Sequence, residues 1–146
     1  HRKFPDATID CVDASSHVLE LAQTYFGLAA RNDASPQIRL LAQRGEEYSS
    51  AHPLDILMID VATDDNAISA QAPPPSMGTH DFLQHAKDQL HPLYGILVVN
   101  VVVPTEEDLL VFLEKINCHF DHVHHVRLTR NWVVYATDCV VASHEW

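Results

Sequence analysis

The chain has 146 residues, a length that fits one domain spanning 1–146 and able to bury roughly 70% of its unfolded surface. Hydrophobic residues make up 47% and charged residues 20%, which excludes disordered and fibrous classes. A formal net charge of -11 argues against a nucleic-acid partner, since affinity for phosphate backbones rests on Lys and Arg.

No apolar run approaches the roughly 18 residues of a membrane span, and no secretory h-region follows His1-Arg2-Lys3-Phe4-Pro5. A soluble cytoplasmic protein without membrane partners is therefore expected, as is a trimmed or partial chain from its start at His1. Cys11, Cys118 and Cys139 are odd in number and widely spaced, so neither a disulfide framework nor a metal knuckle is indicated. Cys11 and Cys139 read as small buried hydrophobes.

In chain order, short apolar strands alternate with segments of helical period, the pattern of βαβ units around a parallel sheet. A strand from Thr8 to Val12 runs into the carboxylate of Asp13. Ser15 or Ser16 can cap the following helix, whose apolar face is Val18, Leu19, Ala22, Tyr25 and Phe26 and whose stop is Gly27. The polar segment Arg31 to Gln37 reads as loop, and Ile38 to Ala42 as a second strand. Arg44-Gly45-Glu46 opens a short helix ended by His52-Pro53.

The run Asp55 to Ile59, closed by Asp60, is apolar throughout, as in a strand covered on both faces. Val61 to Gly78 has little regular signal and holds Pro73-Pro74-Pro75, read as a stiff loop. Thr79 caps a helix with Phe82, Leu83, Ala86 and Leu90 on its core face, and Gly95 to Val103 is the most apolar segment, a central strand. Thr105 and Asp108 form a capping-box pattern for a helix with Leu109, Leu110, Phe112, Leu113 and Ile116 inward. Val123 to Leu128 and Trp132 to Thr137, around Thr129-Arg130-Asn131, read as an antiparallel hairpin at a sheet edge.

Two strands that end in Asp13 and Asp60, separated by one that ends near Arg44-Gly45, resemble the class I S-adenosylmethionine-dependent methyltransferases. The fold implied is a three-layer Rossmann-like α/β sheet with a C-terminal antiparallel hairpin. Val12-Asp13, Val18-Leu19-Glu20-Leu21-Ala22 and Tyr25-Phe26-Gly27 are similar to the acid, helix and stop of the spermidine-synthase-like branch. Asp55-Ile56-Leu57-Met58-Ile59-Asp60, Phe82-Leu83, Leu90-His91-Pro92 and Gly95-Ile96-Leu97-Val98-Val99-Asn100 are similar to its fourth strand, following helix and fifth strand. Asp60-Val61, Asp64-Asp65 and Ala72-Pro73-Pro74-Pro75 most resemble the methyltransferase-like protein thirteen family, which modifies translation elongation factor one-alpha.

The resemblance implies methyl transfer from S-adenosylmethionine to an amine of a basic protein substrate. Asp13, Ala14, Arg44, Gly45, Asp60 and Val61 would hold the cofactor, with Asp13 on the ribose hydroxyls. Asp60 would orient or deprotonate the amine, and Asp64, Asp65 and Asn100 would meet the substrate. Five of these residues also have a plain reading: a solvated strand-end acid for Asp13, a cap for Asp60, loop acids for Asp64 and Asp65, and a turn cap for Asn100.

The chain departs from the family at two points. Arg44 stands where an acid is usual and cannot accept from an adenine amino group. The first strand and its Gly-rich turn are not in the chain, whose glycines are Gly27, Gly45, Gly78 and Gly95. That turn lets backbone approach the cofactor, so the chain alone is expected to bind it poorly, and the strands beside the absent one to keep unpaired edges. A homodimer is one outcome of such edges. Two other functions stay open: an aminopropyltransferase of polyamine synthesis, and a non-catalytic truncated methyltransferase-like binding domain. Of the eleven histidines, His122 and His124 would share one strand face, but no zinc spacing is matched and no metal is expected.

Overall fold

A computed structural model describes residues 7–26, 38–63 and 71–139. Its strands are β1 (Ile9–Asp13), β2 (Ile38–Ala42), β3 (Ile56–Ile59), β4 (Ile96–Val101), β5 (His122–Arg127) and β6 (Trp132–Thr137). The helices are α1 (Ser16–Phe26), α2 (His80–Gln89) and α3 (Glu106–Asn117), with short 3-10 turns at Gly45–Glu47 and Pro75–Gly78. The chain divides into two units, His1–Ser49 and Ser50–Trp146.

In the first unit β1 and β2 pair in parallel, with Ile9 opposite Ile38 and Asp13 opposite Ala42. The register is pinned one pair in from its start. Asp10 faces Arg39 across the pair and accepts from its Nε at 2.6 Å, and the Tyr48 hydroxyl donates to the same carboxylate at 2.7 Å. The Arg39 hydrogen bonds hold the Asp10 carboxyl below its ordinary range, against the opposing effect of burial and with help from Tyr48. Ser15 is the cap of α1, its Oγ accepting from the Val18 amide at 3.3 Å.

The apolar face expected of α1 to be core is not buried: Val18 is 48% exposed, Tyr25 74% and Phe26 79%. A two-stranded sheet is too narrow to cover an eleven-residue helix. The expected stop at Gly27 and loop at Arg31 to Gln37 lie outside the described residues.

The second unit holds one sheet in the order β3-β4-β6-β5, with β3 parallel to β4 and the other pairings antiparallel. β4 is central, as its composition requires, and the hairpin closes the sheet with β5 at its edge. Helices α2 and α3 pack on the same face. Leu83 and Ala86 from α2, Leu109, Phe112, Leu113 and Ile116 from α3, Leu97, Val99 and Val101 from β4, and Val134 and Ala136 from β6 form one core.

Both expected helix starts are present. The Thr79 hydroxyl accepts from the Phe82 amide, and Thr105 with Asp108 makes a complete capping box. Thr137, buried at the far end of β6, donates to the Gly95 carbonyl at 2.8 Å.

The continuous apolar run of β3 predicts cover on both faces, but only Leu57 and Ile59 are turned toward the helices, and Ile56 and Met58 stand 58% and 67% exposed. Alternation along a strand sends every second side chain to the face that no described helix covers. Among the described residues β1 hydrogen-bonds only to β2 and β3 pairs as a strand only with β4, so each has an unpaired edge. The low-signal stretch after Val61 is more ordered than expected: Ala72 and Val102 exchange backbone hydrogen bonds, and Met77 and Gly78 are buried.

Candidate active site

Four of the expected cofactor residues, Asp13, Ala14, Arg44 and Gly45, fall in the first unit. Parallel pairing sends β1 and β2 out at the same end, so Asp13 and Gln43 emerge together, and the Gln43 amide donates to the Asp13 carbonyl at 3.1 Å. Asp13 Oδ1 accepts from the Ser15 amide at 2.7 Å, a turn that fixes the carboxylate at the strand end. Its Oδ2 makes no hydrogen bond among the described residues. Ala14 is the exposed bend between strand and cap. Arg44 precedes the turn that begins at Gly45, and its guanidinium donates to Glu46 at 2.9 Å. Arg44 is thus already turned to an acid.

In the second unit Asp60 ends β3, Val61 follows it 38% exposed, and Asn100 lies one strand away on β4. Asn100 Nδ2 donates to Asp60 Oδ1 at 2.8 Å. Asn100 Oδ1 in turn accepts from Nδ2 of Asn131, which stands just before β6. Three side chains from three neighbouring segments thus form a polar chain across the carboxyl end of the sheet.

An ionised carboxylate has only acceptors, so it sets the direction of both amides. Asp60 Oδ2 has no partner among the described residues. Beside Asn131 lies a cleft of about 170 Å³, lined also by Thr105, Glu106, Arg127, Arg130 and Trp132. There Arg127 lies over the Trp132 ring at 5.2 Å and donates to Glu106 at 3.1 Å. Asp64 and Asp65 lie outside the described residues.

No protein-family model matches the chain. The eEF1A lysine and N-terminal methyltransferase of Homo sapiens is 33% identical over 110 residues, which are 70% of this chain and 15% of that protein. The enzyme of the same name from Bos taurus is 29% identical over 106 residues, again 70% and 15%. The crystal structure of human Methyltransferase-like protein 13 in complex with SAH superposes with a TM-score of 0.78 at 22% identity, covering 95% of this chain and 64% of that one. The chain is related to these methyltransferases and has a class I methyltransferase fold.

It spans about one seventh of the length of the relatives it matches. In this fold the carboxyl ends of the strands carry ligands, and Asp13, Asp60 and Asn100 all stand at such ends. The sequence pointed to all three. Asn131 was missed, because a residue in a hairpin turn reads only as turn chemistry. The available signal was topological: once β6 lies beside β4 with Val101 opposite Trp132, the residue before β6 comes to the ligand end of β4.

Among the described residues no three His, Cys, Asp or Glu side chains converge as a metal site. His122 is half-buried on β5 and faces Thr137. Cys11 and Cys139 are half-buried rather than buried, and burial pushes the Cys11 thiol up. The narrowness of the β1–β2 pair leaves Cys11 partly uncovered, and Cys139 lies past the end of β6.

Proposed function

We propose that this chain contributes to S-adenosylmethionine-dependent methylation of an amine on a protein, with an elongation factor as the substrate class. The observation that carries the reading is the Asp60 carboxylate, held through Oδ1 by Asn100 at the ligand end of a methyltransferase-type sheet, with Oδ2 open. Relatives named as eEF1A methyltransferases support the substrate class. The helix and strand motifs around Asp13 and Asp60 favour the spermidine-synthase-like branch. A basic protein also suits a chain of net charge -11, which attracts cationic surfaces.

The residues of the first unit fit the cofactor at its ribose. Asp13 is fixed at a strand end by Ser15 and keeps one oxygen for a pair of hydroxyls. Arg44, engaged with Glu46, offers nothing that accepts an adenine amino hydrogen, so that contact must come from elsewhere. When bound, S-adenosylmethionine supplies a methyl group made electrophilic by its sulfonium.

The work left to the chain is on the amine. A protein amine is protonated near neutral pH and attacks only after it loses a proton. Asp60 Oδ2 accepts a hydrogen bond from the ammonium and draws it to the ligand end of β3; once one proton has passed to solvent, the same oxygen orients the neutral amine and stabilises the positive charge that forms on its nitrogen as the methyl group leaves the sulfur. Asn100 keeps the carboxylate from rotating away.

The test is calorimetric titration of the complete protein with S-adenosylmethionine, followed by transfer of labelled methyl to elongation factor 1A, with putrescine as the competing acceptor. Binding with label on the protein supports the reading. An aminopropylated product formed from putrescine when decarboxylated S-adenosylmethionine is the donor, with no label on the protein, replaces it with aminopropyl transfer, and absence of binding replaces it with a non-catalytic domain.

A further inference from the structure

The orientation of Asp60 depends on a residue that is neither on its strand nor on the strand beside it. We infer that Asn131 is a positioning residue for Asp60, acting through Asn100, and that it exerts this control from the wall of the cleft beside the hairpin. The inference rests on the role proposed above for Asp60.

Direction in the chain follows from chemistry alone. Asp60 Oδ1 can only accept, so Asn100 must turn its NH2 toward it. That leaves the Asn100 carbonyl facing away, and only a donor satisfies it. Asn131 supplies that donor through Nδ2. Asn100 and Asn131 are both half-buried, so water is a poorer substitute than at an open surface.

Every member thus has one allowed sense. With Asn131 in place, the amide of Asn100 cannot flip without setting oxygen against carboxylate, and Asp60 presents Oδ2 outward. Asn131 also lines the cleft with Glu106, Arg127 and Trp132. The backbone of Asn131 is held independently, since its carbonyl accepts from the Leu128 amide at 2.8 Å.

Asn131→Asp is the discriminating substitution, because it keeps shape and turn preference while replacing a donor with acceptors. Whichever way Asn100 then turns, one carboxylate faces its oxygen. Asp60→Asn combined with Asn131→Asp restores a complete chain of opposite direction. Amide exchange at the carboxyl end of β4 reads the geometry without any turnover.

The expected result is loss of protection in Asn131→Asp, little change in Asp60→Asn, and recovery in the double variant. In methyl transfer, Asn131→Asp should lower kcat roughly 10- to 100-fold with KM for S-adenosylmethionine unchanged, and the double variant should stay inactive although its fold has recovered. Additive effects on exchange would overturn the chain itself. Recovery on exchange together with unaltered kcat in Asn131→Asp would overturn the positioning role. A wild-type protein that transfers no methyl group would refute the function while the exchange cycle still decided the chain.

Discussion

Replacing Tyr48 with Phe removes one hydroxyl and nothing else from the centre of the first unit. Tyr48 is 6% exposed, and the Asp10 carboxylate that it serves is 9% exposed. The lost hydrogen bond is 2.7 Å long and charge-assisted, a class that contributes roughly 1.5–3 kcal/mol. Arg39 remains bonded to the carboxylate, so the ion pair survives and the loss stays near the lower end of that range.

A fall of about 1.5–2 kcal/mol corresponds to roughly 10- to 30-fold faster exchange of the amides of β1 and β2. Exchange is the right assay because two units need not unfold together, and a single global stability would then be undefined. Protection in β4 and α3 should not change. A uniform loss over both units, or no loss in β1 and β2, would refute the view that this carboxylate pins the register that delivers Asp13.

The same bonds give a pH signature. The folded carboxyl of Asp10 titrates below its unfolded value of about 3.8, so its stabilisation is complete above that value and is lost as pH falls through the lower folded one.

In the second unit, burial, then His80 and Lys87, push His119 below the ordinary histidine range. His80 Nδ1 and His119 Nε2 are 3.0 Å apart, and the pair cannot keep its hydrogen bond with both rings protonated. Stability contributed by neutral His119 should be complete above about pH 6.5 and lost as pH falls through the folded value, and His119→Gln should flatten that slope in thermal melts between pH 5 and 7.5. A slope unaltered by the substitution would contradict the pairing. Ile116, 0% exposed between α3 and the sheet, should cost about 2–5 kcal/mol on truncation to Ala, read by denaturant unfolding of the second unit. A loss under 1 kcal/mol would mean that the helix is not seated as described.

Much of this was legible in local chemistry. Thr79, Thr105 and Asp108 announce their helix starts because a capping hydroxyl or carboxylate acts within four residues of itself. The hairpin of β5 and β6 and the central place of β4 follow from composition over six to nine residues. The carboxylates at Asp13 and Asp60 follow from a strand rule, and Asn100 from the same rule on the next strand.

What failed concerns neighbours that are distant in sequence. The apolar stripe of α1 and the double-sided run of β3 report what those elements prefer to bury, not whether the described residues supply the cover. Asn131 is hidden for a related reason. Its partner is 31 positions away, and only the insertion of β6 between β4 and β5 brings the two together.

The most direct test of the proposed chemistry is mass spectrometry of elongation factor 1A after incubation with S-adenosylmethionine and the complete protein, as wild type and as Asp60→Asn. The account predicts one or more added methyl groups on an amine with the wild type and their loss with the variant. Undiminished methylation by Asp60→Asn, or none by a wild type that binds the cofactor, would contradict it.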